Sequence, residues 1–520
     1  MRISLILSII SFCGFMNHST FGQNISEQFI DSIVAHSMEL MPQAGMAVAV
    51  IQDGKVIHSK GYGIKSIKTK EKVDENSLFA IASNSKAFTT MALGILIDEG
   101  KLKWTDKVVD YIPEFKMYES YITENFTIED LLTHRSGLGL GAGDLMFFPS
   151  GGDFTIDDIL KSFQYQKPTS AFRTKFDYDN LLYIVAGEVV HRISGKSWGH
   201  FVENRIMNPL KMDNSAALFS NIEKKKNVAE AHVMSGDNLV QINGYDEVKS
   251  IGAAGGIYSS VNDMTKWMLM HLNDGLYNGE DRLVSSKSHR EMWSAKTNMF
   301  FDATPKGVYK THYEAYGLGW FLQDKNGYTT VSHTGGLAGM LSQVVLIPEL
   351  NAGVVVLTNS MPGGYSFVSI TNEIQDELLG VDGRNWIEAM QMGIESNGSE
   401  ADSVVNAVWE TVSDANSKEI HSEDYIGTYK DDWFGDVTIE MRKDELWFVS
   451  KRSPKLTGKM SFYKANTFAI KWEFKDMECD AFASFSLDEN GKAQSIKMKG
   501  ISPAIDFSFD FQDLDLQRIK

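Results

Sequence analysis

Runs of strand-forming residues lie near both ends of the first 385 residues, and they constrain the fold more than any other feature. Residues 46–51 and 55–58 flank Asp53-Gly54, a dipeptide that favours a tight hairpin turn. Strand patterns return only late in this region, at residues 328–332, 342–347 and 353–357. The residues between are mostly helical in pattern. We therefore predict an α/β (α+β) domain whose antiparallel sheet is built from both ends of the domain, flanked by helices, with a helical region inserted.

A second domain is expected because 520 residues are too many for one ordinary domain. From about residue 421 the pattern changes to short alternating strands separated by turn residues. That pattern predicts a small antiparallel β-barrel or sandwich. The preceding stretch has few strand formers and many acids, which predicts a partly helical linker. The predicted organisation is a signal peptide at 1–22, a first domain at 23–385, a linker at 386–420 and the barrel at 421–520.

The first 22 residues have the layout of a bacterial secretory signal peptide. Arg2 supplies a positive charge, residues 3–16 are largely apolar, and Thr20-Phe21-Gly22 offers small residues for cleavage. The apolar run is shorter than the roughly 20 residues that span a bilayer, and an uncleaved anchor is the alternative. Cys13 follows a bulky residue, which disfavours lipoprotein processing. We expect a periplasmic or secreted protein with no stable membrane span after cleavage, whose remaining Cys479 can form no intramolecular disulfide.

The formal net charge is −18 at pH 7, and the sequence shows no basic patch. Nucleic acid and anionic membrane are therefore not expected as partners. The 12 histidines show no metal-ligand spacing and there is no His-Glu-x-x-His motif. We expect neither a metal nor another cofactor, and the oligomeric state stays open.

The stretch Ser83-Asn84-Ser85-Lys86 places a nucleophile and a base three residues apart at the start of a predicted helix. Residues three apart on a helix are neighbours, so the hydroxyl and the amine can meet. The positive end of the helix dipole also opposes a protonated lysine, which favours the form that accepts a proton. A second match, Ser461-Phe462-Tyr463-Lys464, lies in a strand pattern. Strand residues three apart point to opposite faces, so this copy is predicted not to form the pair.

Two further motifs follow in order. Tyr178-Asp179-Asn180 comes just before a predicted helix, and His333-Thr334-Gly335, followed by Gly336, lies on a predicted strand. With Ser83 and Lys86, they resemble the ordered motifs of the serine β-lactamase and penicillin-binding-protein superfamily, closest to class C β-lactamases and their esterase and D-aminopeptidase relatives. The resemblance covers roughly residues 25–385 and implies the β-lactamase/transpeptidase-like fold. The C-terminal segment resembles the lipocalin-like barrels that some of these hydrolases carry.

The resemblance implies a role for each motif residue. Ser83 would attack an acyl carbonyl and form an acyl-enzyme, while Lys86 and Tyr178 move its proton, either of them being able to act as the base. The backbone N–H groups of Ser83 and Gly336 would form an oxyanion hole. Asn180 would bind the substrate amide and the lysine. The implied catalytic residues are Ser83, Lys86 and Tyr178, and the implied substrate-binding and oxyanion residues are Asn180, His333, Thr334, Gly335 and Gly336.

His333 stands where some related enzymes carry lysine, whose permanent charge faces a carboxylate of the substrate, whereas histidine occurs here among the family's esterases and aminopeptidases. An unperturbed histidine is only about a quarter protonated at pH 7, so carboxylate recognition should be weaker. The expected activity is an exported serine hydrolase that cleaves esters or small peptide or D-amino-acid amides, with a small-molecule or short-peptide acyl substrate as its partner. A β-lactamase or D,D-carboxypeptidase, and a slowly acylated penicillin-binding-type sensor, stay open as alternatives.

Three other features are predicted to be structural. Gly195-Lys196-Ser197-Trp198-Gly199 matches the nucleophile elbow of α/β-hydrolases but follows a helix end, where Gly195 is typical of a cap. His134 is expected to hold a loop through hydrogen bonds. Trp433, Tyr463 and Trp472 of the barrel are expected in its core, although the barrel could instead rim the active site and limit substrate size.

Overall fold

The computed structural model describes residues 25–236, 238–242, 252–361, 363–415, 421–474, 477 and 479–519. The predicted signal peptide at 1–22 lies outside the described residues. Within the described part of the chain, no helix is both long and apolar enough to cross a membrane.

An eight-stranded antiparallel sheet forms the centre of the first domain. Its strands, in spatial order, are Lys55–Gly63, Gly45–Gln52, Ala352–Thr358, Met340–Ile347, Tyr328–Leu337, Phe321–Lys325, Tyr313–Tyr316 and Thr297–Phe301. The prediction of a sheet built from both ends of the domain is confirmed. Tyr328–Leu337 is longer than the predicted strand and carries the whole His333-Thr334-Gly335-Gly336 motif.

Both faces of the sheet are covered because the strand Gly45–Gln52 is apolar on both sides and fully buried. Val48 and Val50 pack with the helices Glu27–Leu40 and Gly363–Leu379. Ala47 and Ala49 belong to the larger core on the opposite face, together with the helices Ser85–Asp98 and Val261–Leu272. Burial of this much apolar surface is the main driving force for the fold.

The helices include those packed on the sheet, those of the inserted helical region and the one that leads to the barrel. The α-helices are Glu27–Leu40, Ser85–Asp98, Ser120–Asn125, Ile156–Ser162, Asn180–Ser194, Trp198–Val202, Phe219–Ile222, Gly252–Gly255, Val261–Leu272, Ser286–Met292, Gly363–Leu379 and Trp386–Ala415. Short 3₁₀ turns lie at Ala82–Asn84, Val108–Asp110, Asp130–Leu132, Asp144–Met146, Pro348–Leu350, Ser422–Asp424 and Phe511–Asp513, and a π-turn lies at Glu203–Met207. Two small sheets pair Phe79–Ala80 with Tyr258–Ser259 and His232–Ser235 with Asn238–Gln241.

The C-terminal strands close into an eight-stranded barrel, as predicted. They are Gly427–Asp431, Gly435–Arg442, Glu445–Ser450, Thr457–Lys464, Thr467–Trp472, Ala481–Leu487, Ala493–Gly500 and Leu516–Arg518. Trp433 and Trp472 are buried in its core. The segment before it, predicted to be a partly helical linker, contains one continuous helix of 30 residues, Trp386–Ala415.

Candidate active site

Ser83 lies in the 3₁₀ turn Ala82–Asn84, which joins the strand Phe79–Ala80 to the helix Ser85–Asp98. The prediction that the α-helix includes Ser83 is therefore wrong by two residues. The residue before the serine, Ala82, has φ 46°, a left-handed conformation that costs a non-glycine residue about 1–3 kcal/mol. The surrounding structure holds this turn in place: Ser342 donates a hydrogen bond to the Ile81 carbonyl (2.7 Å) and accepts one from Asn84 Nδ2 (2.8 Å).

Lys86 is fully buried, and its Nζ atom has three hydrogen-bond partners. Nζ lies 3.0 Å from Ser83 Oγ, 2.6 Å from Asn180 Oδ1 and 2.9 Å from the Ala254 carbonyl oxygen. The structure thus brings together the first motif and the asparagine of the second, as the resemblance implied. The Ala254 carbonyl was not predicted.

Burial lowers the pKa of Lys86 to about 7, while the nearby Asp144 and Asp179 act in the opposite direction. Burial has this effect because the charged ammonium loses its hydration. The sequence argument gave the helix dipole as the cause of a neutral amine. In the structure, desolvation on burial is the first cause of the lowered pKa, and the sequence did not reveal it.

Tyr178 lines the same cavity as Ser83, and Lys86 Nζ lies 4.8 Å from the centre of its ring. Burial raises the pKa of the Tyr178 phenol well above its ordinary value. The phenol is therefore neutral and only weakly basic, so the neutral amine of Lys86 is the better proton acceptor of the two candidate bases. The ring of His134 packs against Tyr178 at 4.1 Å between centres, and its Nδ1 accepts the backbone N–H of Asp179 (3.0 Å). This confirms the structural role expected for His134.

The third motif lies beside the turn of Ser83. Gly335 pairs with Ser342 and Gly336 with Leu341 in the neighbouring strand. A Cβ atom at Gly335 would lie only 2.1 Å from the Ile81 carbonyl oxygen, so the close approach of this strand requires glycine there. Thr334 and Gly336 are exposed on the side that faces the cavity.

His333 is protonated to a smaller extent at neutral pH than an unperturbed histidine. Burial lowers its pKa to about 3. Its Nδ1 lies 2.6 Å from the Thr334 carbonyl oxygen, which can only accept, so Nδ1 carries the proton. Nε2 then accepts a hydrogen bond from the Tyr316 hydroxyl (3.0 Å). The sequence predicted a partial positive charge on this residue, whereas its lowered pKa leaves it uncharged at neutral pH.

These groups surround a cavity of about 360 Å³ with a mostly aromatic and aliphatic wall. Six of the eight predicted site residues line it, while Lys86 and Gly335 lie behind the lining. The lining residues are Ala82, Ser83, Phe147, Phe148, Phe176, Tyr178, Asn180, Ala254, Gly255, Phe321, His333, Thr334, Gly336, Leu337, Ala338, Leu341, Met361, Asp506, Phe507 and Ser508. The last three belong to the barrel domain.

Sequence reasoning missed two buried carboxyl groups next to this site. Asp144 Oδ2 accepts a hydrogen bond from Asn180 Nδ2 (2.8 Å), and Asp510 of the barrel accepts backbone N–H groups on both sides of Asp144. Neither residue belongs to a motif. The glycine-rich run at 137–143 before Asp144 is the signal that could have indicated a closely packed loop.

The motif at residues 195–199 and the second Ser-x-x-Lys copy at residues 461–464 are both structural, as predicted. Gly195 has φ 68° and ends the helix Asn180–Ser194, and Ser197 caps the following helix. Ser461 and Lys464 lie on the barrel strand Thr457–Lys464. Neither motif lines the cavity.

Comparison with known proteins agrees with this architecture. The beta-lactamase family model matches residues 30–376, and a domain of unknown function (DUF3471) matches residues 414–518. The unguisins hydrolase ungD' of Aspergillus campestris is 28% identical over 71% of this chain and 70% of its own length. Protein flp of Staphylococcus aureus strain N315 is 26% identical over 65% of this chain, which spans 64% of that relative's length.

A solved structure has a similar fold. The octameric penicillin-binding protein homologue from Pyrococcus abyssi aligns with a TM-score of 0.60 over 95% of this chain and all of its own, at 20% sequence identity. The family model covers more than half of the chain, with the nucleophile, the lysine and the Tyr178-Asp179-Asn180 and His333-Thr334-Gly335 motifs inside it. The protein is therefore a member of the beta-lactamase family and a serine hydrolase.

Proposed function

We propose that this protein is an exported hydrolase, periplasmic or secreted, which cleaves esters or small peptide or D-amino-acid amides through an acyl-enzyme on Ser83. The observation that carries the mechanism is the set of partners around Lys86. A neutral amine has two N–H groups and one lone pair. The Ala254 carbonyl only accepts, and Asn180 presents its oxygen, so these two take the N–H groups and the lone pair is left facing Ser83 Oγ, 3.0 Å away.

The reaction follows from this arrangement. The Ser83 hydroxyl gives its proton to Lys86 while Oγ forms a bond to the acyl carbon. The oxyanion that develops would be stabilised by the backbone N–H groups of Ser83 and Gly336. The proton then passes to the leaving oxygen or nitrogen through the Tyr178 hydroxyl as the bond to the leaving group breaks. In the second half of the reaction, water attacks the acyl-enzyme ester and gives a proton back along the same groups. The bond to Ser83 Oγ breaks, the acyl group leaves as the acid, and Ser83 regains its hydroxyl proton.

The charges in the cavity favour uncharged or amine-bearing substrates. Among the described residues that line it, none is lysine or arginine, and His333 is neutral. A substrate carboxylate would find no fixed positive charge there, which disfavours a β-lactamase or D,D-carboxypeptidase. Asp506 is the carboxylate in the lining, beside phenylalanine rings such as Phe507. A carboxylate and aromatic faces suit the free ammonium group of an amino-acid amide. The relative named as an unguisins hydrolase supports a hydrolytic activity for this chain.

A panel of chromogenic substrates tests this proposal. Wild-type mature protein, Ser83→Ala and Ser461→Ala are compared on p-nitrophenyl acetate, D- and L-alanyl p-nitroanilide and a chromogenic cephalosporin. Ser461→Ala is the matched control, because that serine belongs to the structural Ser-x-x-Lys copy on the barrel. We expect turnover of ester or D-amide, lost in Ser83→Ala and retained in Ser461→Ala, with poor cephalosporin hydrolysis. Equal rates in wild type and Ser83→Ala would refute the nucleophile, and acylation without turnover would indicate a sensor.

Export is supported by the layout of residues 1–22. N-terminal sequencing of protein recovered from the periplasm or the medium should find a chain that begins at or near Gln23. Recovery of the uncleaved chain from the cytoplasm would contradict this part of the proposal.

A further inference from the structure

The barrel domain reaches the active site through the loop that connects its last two strands, Ala493–Gly500 and Leu516–Arg518. On this loop, the ring of Phe507 meets Tyr178 edge-on, with 5.8 Å between ring centres. Phe509 packs in the same way against Phe148 at 4.9 Å. The loop therefore packs directly on the residues that surround Ser83, although it follows them by more than 300 positions in the chain.

Asp510, on the same loop, is fully buried and holds a turn of the first domain. Its Oδ2 accepts the backbone N–H of Gly143 (2.7 Å), and its Oδ1 accepts that of Leu145 (2.9 Å). These two N–H groups flank Asp144, the first residue of the 3₁₀ turn Asp144–Met146. A carboxylate that accepts two backbone donors fixes their geometry more firmly than a single hydrogen bond does.

Asp144 in turn fixes the orientation of the Asn180 amide. Its Oδ2 accepts a hydrogen bond from Asn180 Nδ2 (2.8 Å), which leaves Asn180 Oδ1 facing Lys86 Nζ at 2.6 Å. With the amide turned over, its NH₂ group would face the amine and compete with the Ser83 hydroxyl for the lone pair. Asp144 thus determines which atom of Asn180 meets the lysine.

The turn has little freedom to move between the two domains. Gly141 has φ 71°, its N–H donates to the Tyr178 carbonyl (2.8 Å), and a Cβ atom there would lie 2.6 Å from the Phe507 carbonyl oxygen. Gly143 has φ 82°, and a Cβ atom there would lie 2.4 Å from Leu181 Cδ1. Close packing of this kind transmits a shift on one side to the other.

We propose that Asp510 of the barrel is a positioning residue for the hydrolase site, acting through Asp144 and Asn180 to set the orientation in which Lys86 can accept the Ser83 proton. The barrel is then part of the catalytic assembly and does more than limit the size of the substrate. The proposal rests on the proposed role of Lys86 as the base. The other ionisable groups that face Asp144 and Asp510 are Asp179, Asp513 and Lys86.

Three variants of the full chain separate positioning from a general effect on folding. Asp510→Asn keeps the size of the side chain but offers one acceptor where the turn needs two. Asp144→Leu removes the acceptor for Asn180, whereas Asp144→Asn keeps an acceptor oxygen and serves as the conservative rescue. The matched control is Asp431→Asn. Asp431 is also a buried barrel aspartate that accepts three backbone N–H groups, at 2.8–2.9 Å, but all three belong to the barrel itself.

The measurements are the rate of Ser83 labelling by a fluorescent fluorophosphonate and the kcat and KM for p-nitrophenyl acetate. Rates are normalised to the labelled end point, so that misfolded protein is not counted. We expect Asp510→Asn and Asp144→Leu to lower the labelling rate and kcat by about ten- to a hundredfold with little change in KM. Asp144→Asn should recover most of the rate that Asp144→Leu loses, and Asp431→Asn should stay within about threefold of wild type.

Wild-type rates in folded Asp510→Asn would overturn the proposal. If Asp510→Asn does not fold, equal labelling rates in Asp144→Leu and Asp144→Asn overturn it instead. Failure of the proposed function gives a different result: Ser83→Ala would then be labelled, or would turn over the ester, as fast as wild type.

Discussion

Replacing Lys86 by methionine should change the stability of the protein in a pH-dependent way. The free energy of unfolding of Lys86→Met, relative to that of wild type, should be higher at neutral pH than at alkaline pH. Methionine has a similar length and no charge, so the substitution removes the buried ionisable group and retains most of the packing. Asn180 Oδ1 and the Ala254 carbonyl lose a donor in the variant. That loss costs about 1–3 kcal/mol for each acceptor, but it is the same at every pH.

The pH-dependent part follows from the pKa of Lys86, which burial lowers from 10.5 to about 7. Between these values the unfolded chain holds the proton and the folded chain does not, so the free energy of unfolding rises with pH by up to about 1.4 kcal/mol per unit. Below about pH 7 the buried ammonium carries its full cost, about 5 kcal/mol for this shift. Between about pH 6.5 and 9 the wild type should gain about 2.5 kcal/mol that Lys86→Met does not.

Urea denaturation at the two pH values, followed by tryptophan fluorescence, measures this difference. Lys464→Met is the control, because Lys464 is the exposed lysine of the structural Ser-x-x-Lys copy. We expect the free energy of unfolding of Lys86→Met minus that of wild type to fall by about 2.5 kcal/mol on going to the higher pH, with no such change for the control. An equal difference at both pH values would show that the pKa of Lys86 is not lowered on folding.

Two further predictions concern the reaction and the backbone at the third motif. For p-nitrophenyl acetate, kcat/KM should rise about tenfold per pH unit below about pH 7 and level off above it, since the neutral form of Lys86 is the base; a midpoint above about pH 9 in a pH–rate titration would exclude Lys86 with this pKa. Gly335→Ala should lower the melting temperature more than Gly336→Ala, because its Cβ atom would meet the Ile81 carbonyl at 2.1 Å, whereas that at Gly336 would meet only Leu341 Cδ2, at 3.3 Å. Equal melting temperatures in differential scanning calorimetry would contradict that reasoning.

Much of the fold could be predicted from the sequence because local patterns specify its strands and several of its helices. The hairpin around Asp53-Gly54, the helix that ends at Gly195 and the closed barrel all lie where the residues indicate. Trp386–Ala415 differs from its pattern, since Asn397-Gly398-Ser399 favours a turn. Ile387 packs into the core of the first domain, and Val412 packs against the barrel. Long-range packing of both ends outweighs the weak local propensity in the middle.

The candidate site also has residues that could be predicted from the sequence and contacts that could not. Ser83, Lys86, Tyr178 and Asn180 could be identified because each lies in a motif with a defined place on a helix or turn. The contact of Asp510 with the turn of Asp144 joins residues 367 and 365 positions apart, between a barrel loop and a glycine-rich loop with no pattern of their own. The low pKa of His333 also depends on burial, which its motif does not specify. Properties that arise from tertiary burial were therefore the ones that the sequence did not reveal.

The burial of Asp144 explains how a carboxyl group can lie so near the base without raising the pKa of Lys86 above neutrality. An ionised carboxylate at this position would stabilise the ammonium form and remove the lone pair that the reaction needs. Burial, together with the neighbouring Asp510, raises the pKa of Asp144 well above its ordinary value, which favours the uncharged acid. This shift limits the charge that Asp144 presents to the lysine, and its oxygen can accept the hydrogen bond from Asn180 in either form. The barrel loop that carries Asp510 thus acts on Asp144 in two ways, by holding its turn and by raising its pKa.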